Sequence, residues 1–216
     1  MSGILERIAA ARRNRIRERG YGLGARLPER RAVPIVPFGL PPFLICEIKR
    51  ASPSRGPIAA CADATAQARK YAAFGARTVS VLTEGDHFAG SLEDLRRVKE
   101  ALPHLCVLRK DFLLEEEEIE VSHRAGADAV LLIARLHDGP SLARLAEKAR
   151  KLGLAALLEV HDRSDLEKVR GIRPAFTGFN SRDLSTFEVD LAGPVGLLGL
   201  VDWTTTAVYE SGIRSM

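Results

Sequence analysis

LCVLRKDF (105–112), LEEEEIEVSHRAG (114–126) and ADAVLLIA (127–134) follow one another with a single residue between the first two. The first is an apolar run of strand length that ends in charged residues. The second has helical spacing, a charged outer face and a closing glycine, Gly126, where a helix C-terminus favours one. The third is apolar again. A strand, a helix and a second strand joined so tightly make the repeating unit of a parallel α/β sheet. Working outward, the same alternation recurs about every 25 residues. Further apolar runs are FLICEIK (43–49), RTVSVLTE (77–84), LAALLEV (154–160), FTGFN (176–180) and TAVYES (206–211), making seven in all. Helical patterns lie between them at 62–75, 91–102, 139–153, 162–171 and, more weakly, 190–201, with Gly75 and Gly153 closing two of these. Segment 20–41 has no period and reads as a loop joining an N-terminal helix to the first strand.

Five of the seven runs end in ionisable or amide residues: Glu47 with Lys49, Lys110, Glu159, Asn180, and Glu210 with Ser211. Parallel strands of a barrel or a doubly wound sheet deliver such tips to one shared rim, where ligands bind. Period-two geometry sets Ile45, Glu47 and Lys49 on one side of their strand and Leu44, Cys46 and Ile48 on the other. A lone lysine at a strand end is as often a structural ion pair as a functional group. Two lysines, several carboxylates and an amide on successive tips point to acid–base chemistry.

Bulk properties bound the function. A chain of 216 residues with 46% hydrophobic and 28% charged residues suits one soluble core. The expectation is a single domain over 1–216, with 1–42 an N-terminal helix and loop extension. No apolar stretch approaches the roughly 20 residues that span a bilayer, and MSGILERIAAARRNR carries no apolar signal region. A cytoplasmic enzyme with no membrane partner is expected. The net charge of +4 is local: residues 1–31 hold nine arginines against three glutamates, and the remainder is slightly acidic. Ile4, Leu5, Ile8 and Ala9 share one helical face, so the segment reads as an amphipathic helix on the body with its arginines solvated, and no nucleic-acid partner is expected. Cys46, Cys61 and Cys106 form no CxxC pair and read as reduced thiols. The five histidines show no metal-ligand spacing. Among them His161, near the rim, is expected in a supporting or solvated role. Glu115–Glu118 opens a helix, where acidic groups suit the dipole.

With those residues in place the chain resembles the indole-3-glycerol-phosphate synthase family of tryptophan biosynthesis. The matching segments are CEIKRASPSRGPI (46–58), SVLTEGDHFAGSLEDL (80–95), VLRKDF (107–112), GADAVLLIARL (126–136), LLEVH (157–161), FNSRDLSTFEVDL (179–191) and YESGI (209–213), in family order. The resemblance implies an α/β fold, a (βα)8 TIM barrel with an extra N-terminal helix, and a lyase activity. It implies that Lys110 is the general acid of ring closure and Glu159 the general base, with Glu47 and Lys49 in the same cluster. Ser52, Asn180, Arg182, Glu210, Ser211 and Gly212 would line a phosphorylated small-molecule substrate, and Phe88, Phe112, Leu131 and Leu184 would seat its aromatic ring. The implied chemistry is ring closure, decarboxylation and dehydration, which calls for no cofactor and no metal.

The family's barrel continues beyond ESGI with a helix, an eighth strand bearing a phosphate-binding Gly-Ser pair, and a last helix, whereas this sequence reaches Met216. The expectation is an incomplete barrel over 43–216 with a weakened phosphate grip and two open edges prone to self-association. Two classes stay open at this point: a synthase, impaired or not, and a non-catalytic relative acting as an interaction or phospho-ligand-binding protein.

Overall fold

The computed structural model describes residues 4–41, 43–52, 56–58, 63–183 and 188–213. In chain order the elements are helix α1 (Ile4–Arg19), strand β1 (Ile45–Ile48), the two-residue strands β2 (Ala51–Ser52) and β3 (Gly56–Pro57), α2 (Ala64–Ala73), β4 (Thr78–Leu82), α3 (Leu92–Ala101), β5 (Cys106–Lys110), α4 (Glu116–Ala125) and β6 (Ala129–Ile133). A 3₁₀ turn at Ala134–Leu136, α5 (Gly139–Lys151), β7 (Ala155–Val160), α6 (Arg163–Arg170), β8 (Phe176–Asn180), α7 (Gly193–Leu198) and β9 (Thr206–Glu210) complete them. All seven apolar runs are strands of one sheet ordered β1-β4-β5-β6-β7-β8-β9, every neighbouring pair parallel. The fold is of (βα)8 TIM-barrel type, with seven of its strands among the described residues. The antiparallel β2–β3 pair has no counterpart in the sequence reading, because two residues per strand are too few to display a period.

Helices α2 to α6 start where a side chain can satisfy an unpaired backbone N–H. Asp63, Ser91, Asp138 and Asp162 accept from the amides of Ala66, Asp94, Ser141 and Asp165. Glu115 and Glu118 form a reciprocal capping box at α4. Gly126 takes a left-handed φ of 99° at the end of that helix, and a Cβ there would press on Lys99.

Strand parity divides the core as the sequence predicts. Ile45, Cys106, Leu108, Ala129, Leu131, Ile133 and Leu157 pack inside the curled sheet. The alternating set faces outward in two clusters, Ile48, Val79, Val81 and Val107 against α2 and α3, and Val130, Leu132, Leu158 and Phe179 against α5 and α6. Phe38 meets Phe43 and Phe176 edge-on beneath, at centroid separations of 5.0 and 4.8 Å, at the end of the sheet opposite the rim.

The segment before β1 is tied to the body at both ends. At the rim, Ile8 and Ala9 of α1 are buried as its apolar face requires. Arg12 departs from the expected solvated face: its side chain is 3% exposed, donating from Nε to Glu118 at 2.7 Å and from Nη2 to Asp111 at 2.9 Å. Asp111 also receives Arg109, which is wholly buried, at 2.8 Å. Under the sheet, Arg31 donates to Asp128 at 2.6 Å, and Lys99 reaches the other oxygen of the same carboxylate at 2.7 Å.

Candidate active site

The register of the parallel ladders brings the strand tips level. Leu82 lies beside Lys110, Ile133 beside Glu159, Glu159 beside Gly178, and Asn180 beside Glu210. Inward parity then turns Glu47, Lys110, Glu159, Asn180 and Glu210 into one space at the carboxyl rim. Lys110 stands in the middle. Its Nζ donates to Glu210 Oε2 at 2.7 Å and lies 3.7 Å from Glu47 Oε2 and 4.0 Å from Glu159 Oε2. Lys49 pairs with Glu47, on the more exposed side. Asn180 Oδ1 accepts from Ser211 Oγ at 2.8 Å and from the Arg182 amide at 3.0 Å.

Glycine at 178 makes room for this cluster. A Cβ there would collide with the Glu210 carboxylate and sit 3.5 Å from the Glu159 Cα. Ser211 and Gly212 both adopt left-handed backbone, with φ of 66° and 71°. That is costly for Ser211 and easy for Gly212.

The apolar side of the site comes from the inner cluster. Phe88 and Phe112 stand 6.2 Å apart between centroids, with Leu131 buried in the same cluster. Phe88 is held by a turn that sequence reading passes over. The buried Glu84 carboxylate accepts from the amides of Asp86, His87 and Phe88 at 2.8, 2.7 and 3.2 Å. Of the expected site residues, Leu184 lies outside the described residues and Ser52 is described in its backbone alone. Arg182 sits in an isolated bridge with Val189.

Electrostatics separate groups of the same type. Burial works against charge on all of them. Lys110 is nevertheless held well above the usual lysine range, because Glu210, Glu159 and Glu47 outweigh its desolvation. Glu47 is lowered by Lys110 and Lys49 despite burial. Glu159 is also buried, yet His161, Lys110 and Asn180 bring it down to about 2. Glu210 goes the other way. Burial pushes it up to about 7, Lys110 pulls against that and Glu159 adds to it. Its Oε1 is buried with no hydrogen-bond partner. Of the two roles expected for His161, supporting or solvated, the solvated one does not hold: its side chain is 3% exposed, with Nε2 3.1 Å from Glu159 Oε1. Among the described residues no group of His, Cys, Asp and Glu has the arrangement of a metal site, and no helix is long and apolar enough to cross a membrane.

A parallel barrel-type sheet whose carboxyl rim gathers a lysine among carboxylates places the chain among the βα-barrel proteins. The family model described as indole-3-glycerol phosphate synthase matches residues 39–216, and the chain belongs to that family. Proteins of that name from Desulfosudis oleivorans and Neisseria meningitidis serogroup C are 45% and 44% identical to it, each over 172 residues. Those matches cover 80% of this chain and 65% of each relative, so the chain spans a little under two thirds of their length. The protein of the same name from Geobacillus kaustophilus is 40% identical over 217 residues, covering 98% of this chain and 83% of the relative.

Proposed function

We propose that the protein is an indole-3-glycerol-phosphate synthase, converting 1-(2-carboxyphenylamino)-1-deoxyribulose 5-phosphate to indole-3-glycerol phosphate, CO2 and water. The observation that carries this reading is the Lys110 ammonium set among Glu210, Glu47 and Glu159, with Phe88 and Phe112 in the apolar cluster inside the same sheet. In the proposed first step the ring carbon bearing the carboxylate attacks the ketone. Lys110 donates to the oxygen as it becomes an alkoxide, where a fixed cation counts most. An alkoxide is a far stronger base than an amine, so proton transfer from Lys110 is downhill even with its pKa raised. Loss of CO2 restores the aromatic ring. Dehydration then needs a proton for the departing hydroxyl, from Lys49 or Lys110, and a base for the proton left on the new ring, the role given to Glu159. The two aromatic side chains suit the flat ring of the substrate, with Leu131 beneath and Leu184 as a further proposed wall. Asn180, Ser211, Arg182, Ser52 and the Gly212 amide are the proposed polar contacts to the sugar and phosphate.

The rival reading, a non-catalytic binding relative, has to explain why four ionisable groups are kept together in a mostly buried rim. Such burial costs several kcal/mol per ion before pairing returns it. A cytoplasmic location and self-association through β1 and β9, the outer strands of the described sheet, belong to the proposal as well. The deciding experiment supplies the purified protein with the carboxyphenylamino-deoxyribulose phosphate and follows indole fluorescence. Turnover is expected. Saturable binding of the substrate without indole formation would favour the non-catalytic reading instead.

A further inference from the structure

His161 follows β7 by one residue and is enclosed by charge. Nε2 lies 3.1 Å from Glu159 Oε1 and Nδ1 lies 3.6 Å from Asp165 Oδ2. Neither ring nitrogen makes a hydrogen bond of regular geometry, so these are close electrostatic contacts that become ion pairs when the imidazole is protonated. The backbone N–H of His161 also donates to Asp165 at 3.2 Å, tying the turn to α6. Asp165 is itself buried and is approached by Lys168 at 3.4 Å and Arg135 at 3.4 Å. Arg135 further pairs with Asp162 at 2.7 Å and lies 3.9 Å from Asp183. The histidine therefore faces two buried carboxylates, and the nearest cations are already engaged by acids.

Across the rim the arrangement has an asymmetry. Lys110 touches both Glu159 and Glu210, two buried carboxylates of the same chemistry. Only Glu159 has a histidine on its far side. Resting on the functional reading above, we propose that His161 is a positioning residue that makes Glu159, rather than Glu210, the ionised carboxylate of this pair. Two like-charged acids sharing a site divide one proton between them, and the surroundings decide which keeps it. An imidazolium against Glu159 settles that division. The carboxylate that must act as base is left without the proton, and Glu210 carries it while still bonded to Lys110.

Several physical features support this. Desolvation alone would make His161 neutral, but Asp165 and Glu159 overcome it and the repulsion of Arg135, pushing its pKa up to about 9. Proton bookkeeping gives the arrangement a use. The substrate enters as a carboxylate and leaves as CO2, so each turnover takes up one proton. The lysines give two, one to the alkoxide and one to the departing hydroxyl, and Glu159 takes one from the new ring, leaving a net uptake of one. A base that began the cycle protonated would stall it.

The test uses the full chain with His161→Gln, His161→Asn and Asp165→Asn. Without the imidazolium, Glu159 competes with Glu210 for the proton, so the acid limb of the kcat profile should move up toward neutrality. A charge at this range is worth about 1–3 pH units. Starting from about 2, a rise of that size leaves His161→Gln with a kcat about tenfold below the parent near pH 4 that recovers by neutral pH, with KM within a few-fold. Asp165→Asn should give a smaller shift of the same sign. A uniform loss across pH, or an unmoved acid limb, overturns the proposal. A second measurement needs no substrate: NMR titration of His161 should show an imidazolium persisting well above the usual 6.5, falling toward it in Glu159→Gln. Ordinary titration in the parent also overturns the proposal. If the chain gave no indole at all, the functional reading would fail while this titration still judged the charge assignment.

Discussion

Removing the Lys110 side chain would leave Glu210, Glu47 and Glu159 facing one another across the rim with no cation between them. Lys110→Ala is expected to lower kcat by about 10² to 10⁴, the usual worth of one positioned acid. Steady-state kinetics on the carboxyphenylamino substrate check this, and turnover within a few-fold of the parent would sink the assignment. Glu159→Gln keeps the shape and the Asn180 neighbour but removes basicity. Its kcat should fall while KM holds, as expected of a group needed mainly in the transition state. A raised KM with unchanged kcat would recast Glu159 as a binding group. Gly178→Ala probes the same space from the backbone. Its Cβ would displace the Glu210 carboxylate, which can swing aside, so the Lys110–Glu210 bond should be lost at little cost in stability. The expected outcome is impaired turnover with a melting temperature within a few degrees of the parent. An unimpaired enzyme would mean that the bond is dispensable.

At the scale of elements, α1 behaves as a part of the rim. Arg12 fastens it to Asp111, the residue after the lysine, and to Glu118 at the start of α4. Asp111 in turn accepts Arg109 and the Phe112 amide, at 2.8 and 2.9 Å. The network thus holds both neighbours of Lys110 in place. Breaking a buried pair by removing one partner costs about 3–5 kcal/mol. Arg12→Ala should fall near the lower end, because Asp111 keeps Arg109 and Glu118 keeps the Leu114 amide. Urea denaturation measures it. A loss under about 0.5 kcal/mol, the scale of ordinary surface changes, would show that the helix only rests on the body. The opposite end of the segment has an equivalent fastening in Asp128, which gathers Arg31, Lys99 and the amides of Val36 and Val107.

For the whole molecule, the sheet's order leaves β1 and β9 each with one strand neighbour among the described residues. Tyr209 on β9 is 42% exposed, Ile213 just after that strand 63%, and Leu44 just before β1 43%. Outer strands flanked by apolar side chains favour pairing with another chain. Sedimentation velocity over a wide concentration range is expected to reveal a growing heavier species. A single monomer peak throughout would remove self-association from the proposal.

The periodic part of this architecture was legible in the sequence. Strand and helix alternation, the inward parity of Ile45 and Glu47, the glycine at 126 and the gathering of charged tips all follow from local repeats of 2 and 3.6 residues. Those repeats depend on neighbours a few positions away, so the chain displays them before it folds. The buried position of Arg12, the Asp128 fastening, the turn built on Glu84 and the His161 clamp could not be read this way. Arg12 meets Asp111 from 99 positions away, and Lys110 meets Glu210 from 100. An isolated arginine or histidine looks the same in sequence whether it is solvated or enclosed. Its charge state and its work are set by which distant carboxylates the closed fold brings against it and by how much water that fold excludes. Hence the identity of the rim residues was decided by sequence, while the division of charge between Glu159 and Glu210 was decided by tertiary structure.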